Sequence, residues 1–232
     1  MIPRAVVLLS GGLDSATTLA EALEAGFEAH ALTVRYGQRH AIEVERAKAL
    51  ALSLRAVSHR VVDVDLAFVG GSALTDPSIG VPKSRTEGEV GAGIPLTYVP
   101  ARNTVLLALA LAWAEVLEAW DLFIGVTAVD YSGYPDCRPE FLAAFESLAR
   151  VATRAGVEGS LFRLHAPLLH LSKAQIVRRA WSLRVDMSLT LSCYDPARDG
   201  APCGSCDACL LRAKGFRDAG MVDPGFKTKD PV

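Results

Sequence analysis

A chain of 232 residues, half of them hydrophobic and 22% charged, has enough apolar material for one generous domain or a domain with a small appendage. A formal net charge of −2 provides no global basic field for a large nucleic acid, and the longest apolar run, Val105 to Ala114, is about half of a membrane span. The opening Met-Ile-Pro-Arg is not followed by a secretory core and cleavage site, so the chain reads as cytoplasmic, with no membrane partner.

The first element is Ala5-Val6-Val7-Leu8-Leu9, an apolar, β-branched run that predicts a buried parallel strand. It meets Ser10-Gly11-Gly12, and a helix is expected from about Leu13. A strand, a glycine turn and a helix N-terminus together make an anion site, because close backbone amides and the helix dipole both favour negative charge. The hydroxyls of Ser10 and Ser15 can add donors to phosphate oxygens. The two commoner phosphate loops, G-x-x-x-x-G-K-[ST] and G-x-G-x-x-G, do not occur.

Gly26 fits a left-handed cap for the first helix, and Glu28 to Val34 predicts the second strand. Arg35 to His40 is then a polar loop at the strand edge where open parallel sheets bind ligands. A helix from Ala41 to Leu54 and a strand from Ala56 to Val64 follow. Leu66 to Leu96 is rich in glycine and proline without a sustained period, the mark of either a lid or a plain surface loop, with Lys83 to Thr86 at its tip. A nearly all-apolar helix is expected from Thr104 to Ala119, and a fourth strand from Asp121 to Val126. Beyond a polar, aromatic stretch from Thr127 to Pro139, an amphipathic helix runs from Glu140 to about Ala155. A fifth strand covers Leu161 to Ala166, and Ser172 is the expected N-cap of a helix through Arg184.

This alternation predicts an α/β fold, a doubly wound parallel sheet of about five strands covered on both faces. It stops at Leu191, which divides the chain into residues 1–190 and a small segment, 191–232. Cys193, Cys203, Cys206 and Cys209 have the spacing C-x9-C-x2-C-x2-C, which suits a closed tetrahedral structural zinc site, one per chain. An iron–sulfur cluster is the rival. Cys137 stands apart, as a packing residue or a nucleophile.

The full S-G-G-L-D-S (10–15) resembles the pyrophosphate loop of ATP pyrophosphatases, which cleave ATP between the α and β phosphates. Taken with Y-G-Q-R-H (36–40), V-P-A-R-N (99–103), P-D-C-R-P-E-F (135–141), L-S-K (171–173) and the cysteine-rich S-C-Y-D-P and C-G-S-C-D-A-C, the chain resembles the QueC family of the queuosine pathway, over about residues 5 to 220. The resemblance implies a carbon–nitrogen ligase of the doubly wound, adenine-nucleotide hydrolase-like fold. Its substrates would be 7-carboxy-7-deazaguanine, ammonia and ATP with magnesium, its product 7-cyano-7-deazaguanine, and its by-products AMP and pyrophosphate. It also implies a homodimer. A tRNA-modifying thiolase with the same loop and a zinc-ribbon nucleic-acid binder are the alternatives, and no nucleic acid is expected.

The ATP-binding stretch implied is Leu8, Leu9, Ser10, Gly11, Gly12, Leu13, Asp14, Ser15, Ala16, Thr17 and Thr18. Asp14 either helps place magnesium or simply favours the helix N-terminus, an interaction worth about 0.3–1 kcal/mol. Arg102 and Lys173, at loop-to-helix junctions, are expected to neutralise phosphate. For the base, Tyr36, Gln38, His40, Asp130, Tyr131, Tyr134, Asp136, Arg138 and Glu140 are candidates. A guanine-like edge of N–H donors suits a carboxylate and its face suits an aromatic ring. Asp130, Asp136 and Glu140 are equal contenders for that carboxylate.

Overall fold

The computed structural model describes residues 2–38, 42–86, 88–90, 93–127 and 133–226. Strand β1 (Arg4–Leu8) is central because Ala5, Val6, Val7 and Leu8 are all buried, which only a strand covered on both faces allows. It pairs in parallel with β2 (Glu28–Arg35) on one side and β4 (Asp121–Phe123) on the other. β3 (Ser58–Asp63) and β5 (Arg163–His165) complete a five-stranded parallel sheet of order β3-β2-β1-β4-β5. The order reverses between β1 and β4, and crevices at such switch points, outside the strands' C-terminal ends, take ligands.

Alternate residues of β1 feed two cores. Ala5, Val7 and Leu9 face α1 (Leu13–Glu24), α2 (Ile42–Ser53) and later helices, while Val6 and Leu8 face α3 (Arg102–Leu117) and α4 (Pro139–Ala152). Gly26, with φ +87°, ends α1 in the expected left-handed cap. The helix expected to run to Ala155 breaks at Thr153, whose hydroxyl accepts the Gly156 amide at 3.0 Å and starts a one-turn α5 (Arg154–Val157). α3 starts earlier than its apolar pattern suggests, at Arg102, because Asp136 caps it: Asp136 Oδ2 accepts the Asn103 amide at 2.9 Å. Strand β4 is shorter than its apolar run. Its continuation at Gly125 passes so close to α1 that a Cβ there would lie 3.0 Å from Thr18 Oγ1.

α6 (Lys173–Ser182) opens on the expected Ser172, in a full capping box with Gln175. The segment after Leu191 carries a helix that periodicity does not disclose, α7 (Asp207–Ala219). It packs along α6 and inserts Phe216 into the same core as Ala5, Val7 and Leu9. Arg212 of α7 is buried to 2% exposure and fully engaged. Its guanidinium forms a fork with Asp223 (2.6 and 2.8 Å) and donates to Thr190 Oγ1 at 2.7 Å and to the Met187 carbonyl at 3.2 Å. No described helix is long and apolar enough to cross a membrane.

Gly11 is where the packing is tightest. It has φ +89°, and a Cβ on it would stand 2.4 Å from the Glu43 carbonyl of α2. Gly11→Ala is therefore expected to cost about 2–4 kcal/mol, read as a lowered urea midpoint. Gly12→Ala is the control: its φ is −84° and its nearest contact would be 3.5 Å, so its loss should stay below about 1 kcal/mol.

Candidate functional site

The turn between β1 and α1 is braced by its own hydroxyls. Ser15 Oγ accepts the Ser10 amide at 3.1 Å, lies 3.0 Å from Ser10 Oγ and donates to the Gly12 carbonyl at 3.1 Å. The Asp14 and Ser15 amides belong to the first turn of α1, where a helix offers no carbonyl one turn back, so they add to its positive end. The Leu13 amide reaches Ser192 Oγ at 3.5 Å, and the Leu191 amide donates to the Gly11 carbonyl at 2.9 Å. The cysteine-bearing segment thus lies directly against the loop. Lys173, first residue of α6, donates to Asp14 Oδ2 at 2.7 Å, whereas Asp14 Oδ1 is buried with no hydrogen-bond partner among the described residues.

This turn forms one end of a cavity of about 270 Å³ at the C-terminal edge of β1, β2 and β4. Arg102 forms part of the wall, its guanidinium 5.6 Å above the Tyr36 ring and its Nη1 3.5 Å from the Tyr36 hydroxyl. Gln38 accepts the Tyr36 amide through Oε1 at 2.7 Å and hydrogen-bonds the carboxyl of Glu43. Burial pushes the Glu43 carboxyl up to about 7, and this outweighs the opposing pull of Arg102 and Gln38.

Of the residues singled out from the sequence, Leu8, Leu9, Ser10, Gly12, Leu13, Asp14, Ser15, Tyr36, Gln38, Arg102, Tyr134 and Lys173 line this one cavity. Gly11 lies just behind it, under α2. Ala16, Thr17 and Thr18 are buried one step further along α1, and the two threonine hydroxyls return to the Leu13 and Asp14 carbonyls at 2.7 and 2.9 Å. Asp136 sits behind the wall, committed to Asn103. Arg138 and Glu140 are exposed at the start of α4 and do not line the cavity. His40, Asp130 and Tyr131 lie outside the described residues. Cys137 does line it, with its sulfur accepting Asn103 Nδ2 at 3.2 Å. Sequence reasoning passed over Glu43 and Ser192. Glu43 had a usable signal, an acidic residue in the first turn of a helix that starts at the sheet's ligand edge.

The sulfurs of Cys193, Cys203, Cys206 and Cys209 all lie within 4.8 Å of one another. Four sulfurs about 2.3 Å from a tetrahedral zinc would be spaced about 3.8 Å apart, so the cluster fits such a metal after a small contraction. Backbone amides already point at the sulfurs. Cys203 N–H donates to Cys193 Sγ at 3.2 Å and Tyr194 N–H to Cys206 Sγ at 3.4 Å, contacts that suit thiolates. Hydrogen bonds from Cys193 and Cys209 hold the Cys206 thiol well below its ordinary range.

The tip of the 66–96 loop is fastened to this centre. Lys83 bridges to Cys206, the Ser84 amide donates to the Ser205 carbonyl at 2.7 Å, Lys83 Nζ meets Asp195 at 2.7 Å, and Arg85 grips Asp207 with two nitrogens. Ala73 and Val81 pack against the cysteines themselves, while Leu74 reaches the cavity. Removing the metal should therefore loosen a segment more than a hundred residues away. Cys206→Ser, or chelation of the wild type, is expected to expose Lys83 and Arg85 to trypsin while the zinc-loaded chain resists cleavage there. A second expectation concerns Glu43. A carboxyl that rises from 4.5 to about 7 on folding subtracts stability as pH climbs through that window. Glu43→Gln should then be more stable than wild type by about 1 kcal/mol near pH 8, in urea titrations, with the advantage gone near pH 4.

Residues 4–220 match the family described as Queuosine biosynthesis protein QueC. A protein of Thiobacillus denitrificans named 7-cyano-7-deazaguanine synthase is 63% identical over 224 residues, covering 97% of this chain and 98% of that one. One of Anaeromyxobacter with the same name is 65% identical over 221 residues, covering 95% and 94%. Among solved structures, NMN synthetase from Francisella tularensis shares the fold, with a TM-score of 0.51 at 18% identity over 95% of this chain and 79% of that one. With a match across nearly its whole length, this chain belongs to the QueC family of queuosine biosynthesis proteins.

Proposed function

We propose that this chain is an ATP-dependent ligase that converts 7-carboxy-7-deazaguanine and ammonia to 7-cyano-7-deazaguanine, releasing AMP and pyrophosphate. The observation that carries the reading is one cavity that joins the S-G-G-L-D-S turn to a wall of Tyr36, Gln38, Glu43, Arg102 and Tyr134, in a chain more than 60% identical to proteins of that name. A carboxylate is a poor electrophile. Transfer of AMP to its oxygen makes that oxygen a leaving group, and ammonia displaces it to give the amide. A second AMP on the amide oxygen lets the C–O bond break again and leaves the nitrile.

Both activations expel pyrophosphate, and the turn is suited to receive it. Ser10, Gly12 and the first-turn amides of α1 would donate to its oxygens. Lys173 would take up phosphate charge in place of Asp14, its partner in the unliganded chain. Magnesium, when it accompanies ATP, would supply further neutralisation, and Asp14, whose Oδ1 has no partner among the described residues, would help to hold it. Arg102, already stacked on Tyr36, would stabilise charge on the transferring phosphate. Tyr36 and Tyr134 offer rings to the two bases. Among the contenders for the base edge, Asp136 serves the frame through its cap on α3, and Arg138 and Glu140 face solvent. The cysteines would hold a structural zinc, fully coordinated and so without a position for substrate, although Cys193 itself lines the cavity. The chain would act in the cytoplasm as a homodimer, residues 1–190 carrying the chemistry and 191–232 the metal.

One assay tests this. With magnesium-ATP, ammonia and the carboxy-deazaguanine, the purified protein should release AMP and pyrophosphate in step with nitrile formation. ADP as the product, or ATP consumption indifferent to the deazaguanine, would overturn the reading.

A further inference from the structure

The nitrogen of ammonia carries three hydrogens and the nitrogen of a nitrile carries none. Adenylation removes oxygen from the carbon, but it takes no proton from nitrogen. A site that performs the proposed conversion must therefore accept a proton from one nitrogen atom at three separate points. We propose that Glu43 is that acceptor, and so a catalytic residue of the reaction on whose assignment this inference rests.

The cavity has few other groups for the task. Only two carboxylates line it among the described residues, Asp14 and Glu43. Asp14 is bonded to Lys173 at the turn between β1 and α1, so its carboxylate is already paired with a cation. Tyr36 is a phenol that burial holds above its already high range, and Cys137 is buried in the wall with Asn103 on its sulfur. Glu43 stands beside the aromatic wall, at the start of α2, with Gln38 bonded to it and Arg102 within electrostatic reach. Gln38 is itself fixed by the Tyr36 amide, so the carboxyl is oriented before any ligand arrives. Tyr134, Cys137 and, from α6, Lys173 line the same space. Glu43 as a whole is half-buried and so is not sealed inside the core. Enclosure brings its carboxyl to about 7, where an acceptor works best near neutral pH.

The ammonia lone pair forms the C–N bond while the C–O bond to AMP breaks, and the surplus nitrogen proton passes to the Glu43 carboxylate. When the amide oxygen attacks the second ATP and pyrophosphate departs, a nitrogen proton again goes to Glu43, leaving an O-adenylated imidate. In the last step the remaining proton leaves nitrogen for Glu43, its electron pair completes the triple bond, and AMP departs with the oxygen. Glu43 releases each proton to solvent before the next step.

The experiment compares wild type, Glu43→Gln and Glu43→Asp, all checked for unchanged zinc content and a cooperative melt. Two readouts are taken between about pH 5.5 and 9: deazaguanine-dependent exchange of pyrophosphate into ATP, and formation of amide and nitrile at fixed free ammonia. Glu43→Gln should keep exchange within about threefold, lose amide and nitrile formation by about a hundredfold or more, and lose the acidic limb of the rate profile. Glu43→Asp should keep that limb at reduced rate. If Glu43→Gln loses exchange as much as nitrile formation, or makes nitrile with the wild-type pH profile, the assignment is overturned. A wild-type protein that shows no deazaguanine-dependent exchange at all would instead remove the parent reading, and this one with it.

Discussion

The turn at Gly11 is held from both sides by backbone. From one side the Glu43 carbonyl of α2 occupies the space where a side chain would begin; from the other the Leu191 amide bonds the Gly11 carbonyl at 2.9 Å. The first leaves no room for a Cβ, and the φ of +89° excludes most residues independently. Because the turn cannot shift, α1 starts at a fixed place above the sheet's switch point, and its first amides face the cavity. The grip also fixes what lies on either side. It sets the Glu43 side chain beside a rigid carbonyl, and it brings the stretch leading to Cys193 to the turn between β1 and α1.

Charge in the cavity is arranged by the same frame. At the turn, Lys173 and Asp14 hold each other, which keeps an otherwise dispersed positive site compact until an anion competes for the lysine. Elsewhere in the cavity wall, Arg102 is spread over the Tyr36 ring, and Glu43 is kept from being a permanent anion by enclosure. One space thus holds both a lysine–carboxylate pair and a carboxyl brought to the neutral range, two kinds of group that the proposed reaction would call on.

The frame was largely legible in the residues, because it is written in short-range terms. The apolar run at Ala5 to Leu9, the Ser172–Gln175 box and the Gly26 cap each declare themselves within a few positions, and the cysteine spacing declares a cluster. What escaped depends on distant partners. The cap on α3 comes from Asp136, thirty-three positions from the amide that it accepts. The loop tip at Lys83 to Arg85 looks like free surface until Asp195 and Asp207 are brought to it. α7 hid because its buried face mixes Cys209, Arg212 and Phe216, which no apolar period links. Glu43 likewise looks like an ordinary first-turn acid, since only the tertiary wall of Tyr36 and Arg102 takes it out of water.

The fork between Arg212 and Asp223 has a consequence for how the chain comes into being. Synthesis is vectorial, and domains close their cores as their pieces emerge. Here Phe216 fills the core against β1, the first strand made, and Arg212 cannot be buried without the carboxylate eleven residues later. A ribosome that has delivered every strand still holds a protein with an open face. The stretch through Asp223 therefore acts as a latch, and the newborn chain becomes resistant to proteases only when Asp223 has been made.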